Sequence, residues 1–191
     1  MAKKTEILPP KDDRRIQKTK KYLAEALKEL IIEKGYDAVT IQDIIDRANV
    51  GRSTFYTHYE SKDQLLVGNI NFQEQLIHTP ANDPENYPMG INLSYLFNHT
   101  KENLDIGNAM AGTRGAEVLS AHFADLVAAK IFDHHKRQLP KNKIVQKMLR
   151  YKAEAIAGGI VRMLFKWLEE GAIVPVDEMI VYAKKILDTV G

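Results

Sequence analysis

An all-α fold is the reading favoured by three features of this sequence. Apolar residues recur at helical spacing in segment after segment. No stretch of useful length alternates apolar and polar residues as a half-buried strand does, and Gly, Asn and Pro fall where helices of ordinary length stop. The 191 residues are 45% hydrophobic and 27% charged, which suits one domain, or one with a small appendage, and a core that needs no staples. Cysteine is absent, which removes disulfides, thiolate metal sites and cysteine nucleophiles together. No run approaches the roughly eighteen apolar residues of a membrane span, and no apolar core of a signal peptide adjoins the basic N-terminus. A cytoplasmic protein with no membrane partner is therefore expected.

Pro9 and Pro10 set off a basic arm, residues 1–12, from the first helix. Asp12 and Asp13 are suited to a helix N-terminus. Ile16, Leu23, Ala26, Leu27, Leu30 and Ile31 then share one face, and Gly35 stops the helix. Thr40 opens a short second helix with Asp43 in the capping-box position, and Ile41, Ile44, Ile45 and Ala48 form its buried stripe. Asn49-Val50-Gly51 makes a sharp turn, because Asn tolerates the left-handed backbone the corner needs. A third helix runs from Arg52 to Tyr59. Ser61, with Gln64 three residues on, caps a fourth that continues through Leu65, Leu66, Ile70 and Phe72. This is a helix-turn-helix pattern over residues 13–60 with a connecting helix over 61–78. Residues 79–90, with three prolines, read as a loop opening a helical body over 79–191. Within the body, helices are expected from Ile91 to about Leu104 with a break around Gly107, from Ala116 to Leu139, from Lys143 to Glu170 and from Val176 to Val190.

The net charge of +2 is unevenly placed. Residues 66–191 are balanced, and residues 1–21 hold eight Lys/Arg against three Asp/Glu, a composition that favours polyanions. In the third helix Phe55 and Tyr59 stand four apart and would anchor it from behind. Ser53, Thr54 and Thr57 fall on the opposite side, with Tyr56 and His58 on the flanks and Arg52 in the first turn. A short helix in the major groove of duplex DNA divides its faces this way, with base edges ahead and phosphate walls at each side. A surface helix with incidental hydroxyls has the same pattern. Lys62 tips the balance: an isolated protein gains nothing from a cation beside the cap of a helix, whereas a bound phosphate would meet the ammonium and the free N–H groups together.

Residues 40–66, TIQDIIDRANVGRSTFYTHYESKDQLL, resemble the DNA-binding signature of the tetracycline-repressor (TetR) family of bacterial regulators. The resemblance implies a homodimer with an N-terminal three-helix DNA-binding domain and a C-terminal helical ligand-binding and dimerisation domain. It implies phosphate contacts from Thr40, Thr54, Tyr56, His58 and Lys62, with Arg52, Ser53 and Thr57 facing bases. Three positions depart from the common pattern: Asn49 and Ser53 where Gly is usual, and Gly51 where a capping Ser is usual. Residues 165–179, FKWLEEGAIVPVDEM, look like the C-terminal region of one branch that includes regulators of dihydroxyacetone utilisation.

The body is less explicit. The last two helices, as a hairpin, could build a four-helix interface with a second copy, and Gly158 and Gly159 would allow close approach. Ile156, Ile160, Met163, Leu164 and Trp167 make an apolar stripe read mainly as core or interface. A small-molecule effector would find Phe72, Tyr95, Phe97, Met110, Phe123 and Tyr151 in a mostly apolar pocket, although each taken singly reads as packing. His122, His134 and His135 do not have ligand spacing, so neither metal nor cofactor is expected. No nucleophile–base spacing, phosphate loop or carboxylate pair suggests catalysis. The sequence thus points to an effector-responsive repressor that binds a pseudo-palindromic operator in double-stranded DNA. An activator or an effector-independent regulator shares every feature; an all-α enzyme or carrier is the more distant rival.

Overall fold

A computed structural model describes residues 11–68, 87–136 and 139–190. Within them every regular element is helical, and no strand occurs. The head comprises α1 (Lys11–Lys34), α2 (Ile41–Ala48), α3 (Arg52–His58) and α4 (Lys62–Gly68). The body comprises a 3₁₀ turn (Pro88–Gly90), α5 (Leu93–Glu102), α6 (Leu104–Met110), α7 (Arg114–His135), α8 (Lys143–Glu169) and α9 (Val176–Val190).

The caps follow the local chemistry of the chain. Thr40 Oγ1 accepts from Asp43 N at 3.1 Å while the Asp43 carboxylate accepts from Thr40 N at 2.7 Å, a closed capping box. Asn49 lies in the left-handed region (φ 52°, ψ 51°), which turns the chain from α2 into α3. Ser61 Oγ accepts from Gln64 N at 3.1 Å, and the Gln64 side chain returns to Glu60 N. Asn142 caps α8 through Ile144 N and Val145 N.

Two hydrophobic clusters result. One, in the head, gathers Leu23, Leu27, Ile31, Tyr36, Ile44, Ile45, Phe55, Tyr59 and Leu65. The other, in the body, centres on Leu96, Phe97, Ile131, Ile160, Leu164 and Trp167. Trp167 holds the Phe97 ring edge-on at 5.7 Å and donates its indole N–H to Val174 O at 3.0 Å, so the α8–α9 turn is tied to the core.

Four expectations need correction. Ile16 lies on the apolar stripe of α1 but is 39% exposed, because it precedes the first buried residue, Leu23, by two turns. The break in the first body helices falls at Asn103, not Gly107. Asn103 ends α5 by donating its side-chain amide to His99 O at 2.8 Å, and Gly107 sits inside α6, where an added Cβ would lie 3.8 Å from Leu168. Helix α7 stops at His135, several residues short of Leu139 and Pro140, and α8 ends one residue early at Glu169. Ile70 and Phe72 lie outside the described residues.

Candidate nucleic-acid interface

Helix α3 is only seven residues long, and its orientation is set from behind. Phe55 is wholly buried and Tyr59 nearly so, their rings 6.0 Å apart. On the outer side Arg52, Ser53 and Thr57 are exposed, and Thr54 and His58 are half-buried at the flanks. Tyr56 is 50% exposed, its ring centre 5.4 Å from that of Phe55 in an edge-to-face contact. The Thr57 hydroxyl donates to Ser53 O at 2.9 Å. Its proton is therefore engaged within the helix, leaving lone pairs and a methyl group to meet a partner. Gly51, at the N-cap, supplies no side-chain cap, so the first N–H groups of α3 stay open.

Two residues placed at the phosphate walls by the sequence have other partners. The Lys62 ammonium donates to Tyr36 O at 2.9 Å and Val39 O at 2.8 Å, with Asp37 O at 3.4 Å, and stands 4.4 Å from the Tyr36 ring centre. It ties the start of α4 to the α1–α2 turn, so the premise that an isolated protein gains nothing from this cation is wrong. The compensation comes from carbonyls 23 to 26 residues away in the chain, invisible to local reasoning. Thr40 has both donors inside its capping box, the hydroxyl giving its proton to Asp43 Oδ2 at 2.6 Å. A phosphate could gain a donor there only by opening the box. Lys34, 2.7 Å from that carboxylate, and the Thr40 donors hold Asp43 well below the ordinary carboxylate range.

Sequence reasoning missed the junction between head and body. Asp63 accepts from the Tyr36 hydroxyl on one oxygen and from the Arg114 guanidinium on the other at 2.9 and 3.2 Å. Burial alone would raise its pKa; the Tyr36 hydroxyl and Arg114 outweigh that and lower it. Burial and the same carboxylate push the Tyr36 phenol well above its usual range. One turn of α7 thus meets the head through Arg114, and Gly115 rests directly on the Tyr36 ring. Nothing local marks Arg114, 51 residues from Asp63, as its partner.

Beneath this junction lies a cavity of about 390 Å³, within the range of small-ligand sites. Leu27, Lys28 and Ile31 of α1 and Leu65 and Leu66 of α4 form one wall; α5 to α8 supply the other. Of the pocket residues proposed from sequence, Met110 and Phe123 line it. Phe97 is buried in the body core, Tyr95 packs beside that core on His99, and Tyr151 is 55% exposed on α8; none of these three lines the cavity. Phe72 lies outside the described residues. His99, His122 and Phe165 line it and were not anticipated.

Burial lowers the pKa of His99 and His122, so both imidazoles are neutral near pH 7. A histidine whose folded pKa lies below its unfolded value binds fewer protons when folded. Its contribution is complete above the unfolded value of about 6.5 and is lost as pH falls through the folded one. Urea midpoints should therefore drop between pH 7.5 and 5.5, and replacing both residues with Gln should flatten that dependence. An equally steep dependence in the double variant would contradict the assignment.

Among the described residues no helix is long and apolar enough to cross a membrane, and no group of three His, Asp or Glu side chains could hold a metal ion. Comparison with known proteins matches residues 23–68 to a family model described as bacterial regulatory proteins, tetR family. Residues 92–189, about half of the chain, match a second, described as a transcriptional regulator C-terminal region. The transposon Tn10 TetC protein of Escherichia coli is 26% identical over 156 residues, 79% of this chain and 66% of that protein. Across the curated relatives matched, the aligned part spans between 14% and 66% of their length. A TetR transcriptional regulator from Streptococcus agalactiae 2603V superposes with a TM-score of 0.56 at 27% identity, covering 94% of this chain and 97% of that one. The dihydroxyacetone kinase operon activator DhaS shares the fold with a TM-score of 0.56 at 18% identity, over 90% and 94% of the two chains.

Proposed function

Since this chain belongs to the TetR family of bacterial transcriptional regulators, and is a regulator rather than an enzyme, we propose that it acts as a homodimeric, effector-responsive repressor on a pseudo-palindromic operator. The observation that carries this reading is the division of α3: Phe55 is sealed inside while Arg52, Ser53 and Thr57 face outward. Arg52, Ser53 and Thr57 contact base edges; Thr54, Tyr56 and His58 contact the phosphate walls. Lys62 and Thr40 serve the interface by holding the head's turns in place. The proposed domains are the arm 1–12, the reading domain 13–60, the connecting helix 61–78 and the effector and dimerisation body 79–191.

An exposed face of α8 and α9 supports the dimer. Ile144, Met148 and Tyr151 recur at i, i+4 and i+7 on α8 and stand open to solvent, as do Val181 and Tyr182 on α9. On the same side of α8, a Cβ added at Gly158 or Gly159 would meet nothing within 4 Å, leaving room for a partner helix. A two-fold axis there presents two reading helices to successive major grooves. The junction cavity supports effector control, because its walls belong to head and body alike. A ligand binding one spacing of the heads more tightly shifts the dimer toward it by that differential affinity. The second reading, an activator, is favoured by the description of DhaS.

Selection from random duplexes, followed by fluorescence anisotropy, tests the interface. Tyr56→Phe should weaken every duplex about three- to tenfold, as loss of one hydrogen bond does, without altering sequence preference. Arg52→Ala should relax preference at one base pair by about 1–3 kcal/mol. Lys62→Met should lower stability by about 1–3 kcal/mol, as loss of charged hydrogen bonds does. Unchanged binding in the first two variants would sink the reading. Transcription from a promoter carrying the selected site then gives the sign of regulation.

A further inference from the structure

We propose that the groove where α7 ends and α8 begins binds a compact organic polyanion, a nucleoside di- or triphosphate, independently of the DNA interface. Residues 134–153 contain seven Lys/Arg and no Asp/Glu, while the rest of the chain carries twenty against twenty-five. The most concentrated positive charge in the protein is therefore in its body. Lys136, Lys141, Lys143, Lys147 and Arg150 line one concavity of about 770 Å³. Phe132 and Leu139 supply its apolar surface, with the Arg150 guanidinium 4.7 Å from the Phe132 ring centre.

Of the five lining cations, only Lys136 has a carboxylate partner among the described residues. Lys136 pairs with Asp133, and Lys147 lies 5.7 Å from the Tyr151 ring centre. Lys141 and Lys143 have no hydrogen bond or ion pair among the described residues, unlike Lys62 with its three carbonyls. The first turn of α8 contains no acidic residue, whereas α9 begins with Asp177 and Glu178. Cations at the positive end of a helix repel both the dipole and one another, so an external anion is stabilised on both counts.

Place and shape identify the occupant. Helix α8 has 27 residues, about 40 Å at 1.5 Å per residue, and its other end reaches the junction cavity beside α1. The groove is thus a helix length away from that junction, remote from a duplex held by α3. Lys143, Lys147 and Arg150 recur at i, i+4 and i+7 along α8, and Lys136 from the end of α7 and Lys141 from the turn line the same hollow, which is of small-ligand size. Several phosphate charges on one small body match the cations, and a flat base matches the apolar surface.

The test is calorimetric titration of the full chain with ATP and with inorganic pyrophosphate at 150 mM salt (roughly the physiological ionic strength). We expect one saturable site per chain, with ATP at least threefold tighter than pyrophosphate. Lys143→Glu with Lys147→Glu should weaken ATP at least tenfold; acidic residues suit a helix start, so folding is retained. Lys141→Glu, in the turn, should weaken it in the same direction, and Arg52→Ala in the head should leave it unchanged. Absence of saturable binding, equal binding by the Lys143/Lys147 variant, or loss in the Arg52 variant overturns the proposal. Equal affinity for ATP and pyrophosphate removes the role of the apolar surface and overturns the nucleotide assignment.

Discussion

Replacing Phe55 with Ala should cost about 3–5 kcal/mol, the range for emptying a fully buried aromatic site. The ring has no exposed surface and touches both Tyr56 and Tyr59, so its loss removes the only fully buried side chain of α3. A helix of seven residues has no stability of its own in water and depends on that contact. Against an ordinary folding free energy of about 5–15 kcal/mol, a loss of that size removes a large share of the stability, and DNA binding falls with the folded fraction. Tyr56→Ala, whose ring is half exposed, should cost far less stability and yet weaken DNA binding. Urea unfolding of both variants checks the contrast. A cost below about 1 kcal/mol for Phe55→Ala would mean that α3 is held by something other than its buried face.

The second large effect is expected at Gly115. A Cβ there would lie 2.6 Å from Tyr36 Cγ and 2.9 Å from Cδ1, closer than side-chain carbons approach. The Tyr36 ring cannot swing aside, since it is fully buried and its hydroxyl is bound to Asp63. Gly115→Val should therefore push the start of α7 off the head, costing about 1–3 kcal/mol or more as overpacking does. It should also separate Arg114 from Asp63 and uncouple the heads from the body. Thermal unfolding and DNA affinity measure the two consequences. Adding Tyr36→Leu should recover part of the loss, because the two sites share one contact and their effects are not additive. Full additivity of the two substitutions would show that the Tyr36 contact is not the cause.

The parts of the fold that were legible share one property: the interaction lies within about four residues. The capping box at Thr40 and Asp43, the left-handed Asn49, and the pairing of Phe55 with Tyr59 are all of this kind. The pocket was less legible for the opposite reason. Helical spacing says that Phe97, Tyr95 and Phe123 each have a buried side, but not which neighbours fill it. Phe97 met Trp167, 70 residues later, and Phe123 met the cavity. The helix breaks at Asn103, whose side-chain amide donates to His99 O, and not at Gly107, which a helix interior accepts at a modest cost in propensity.

By itself, then, the chain's order of residues determined an all-helical protein, the positions of the head's turns, and which side of α3 is held and which is presented. Those outcomes rest on hydrogen bonds and periodicities that close within one or two turns. Tertiary structure alone decided that Lys62 serves carbonyls of the α1–α2 turn, that Arg114 finds Asp63, and that the cavity lies between head and body. Each depends on two helices distant in sequence meeting at one angle and depth, and electrostatic compensation follows distance in space, not distance along the chain.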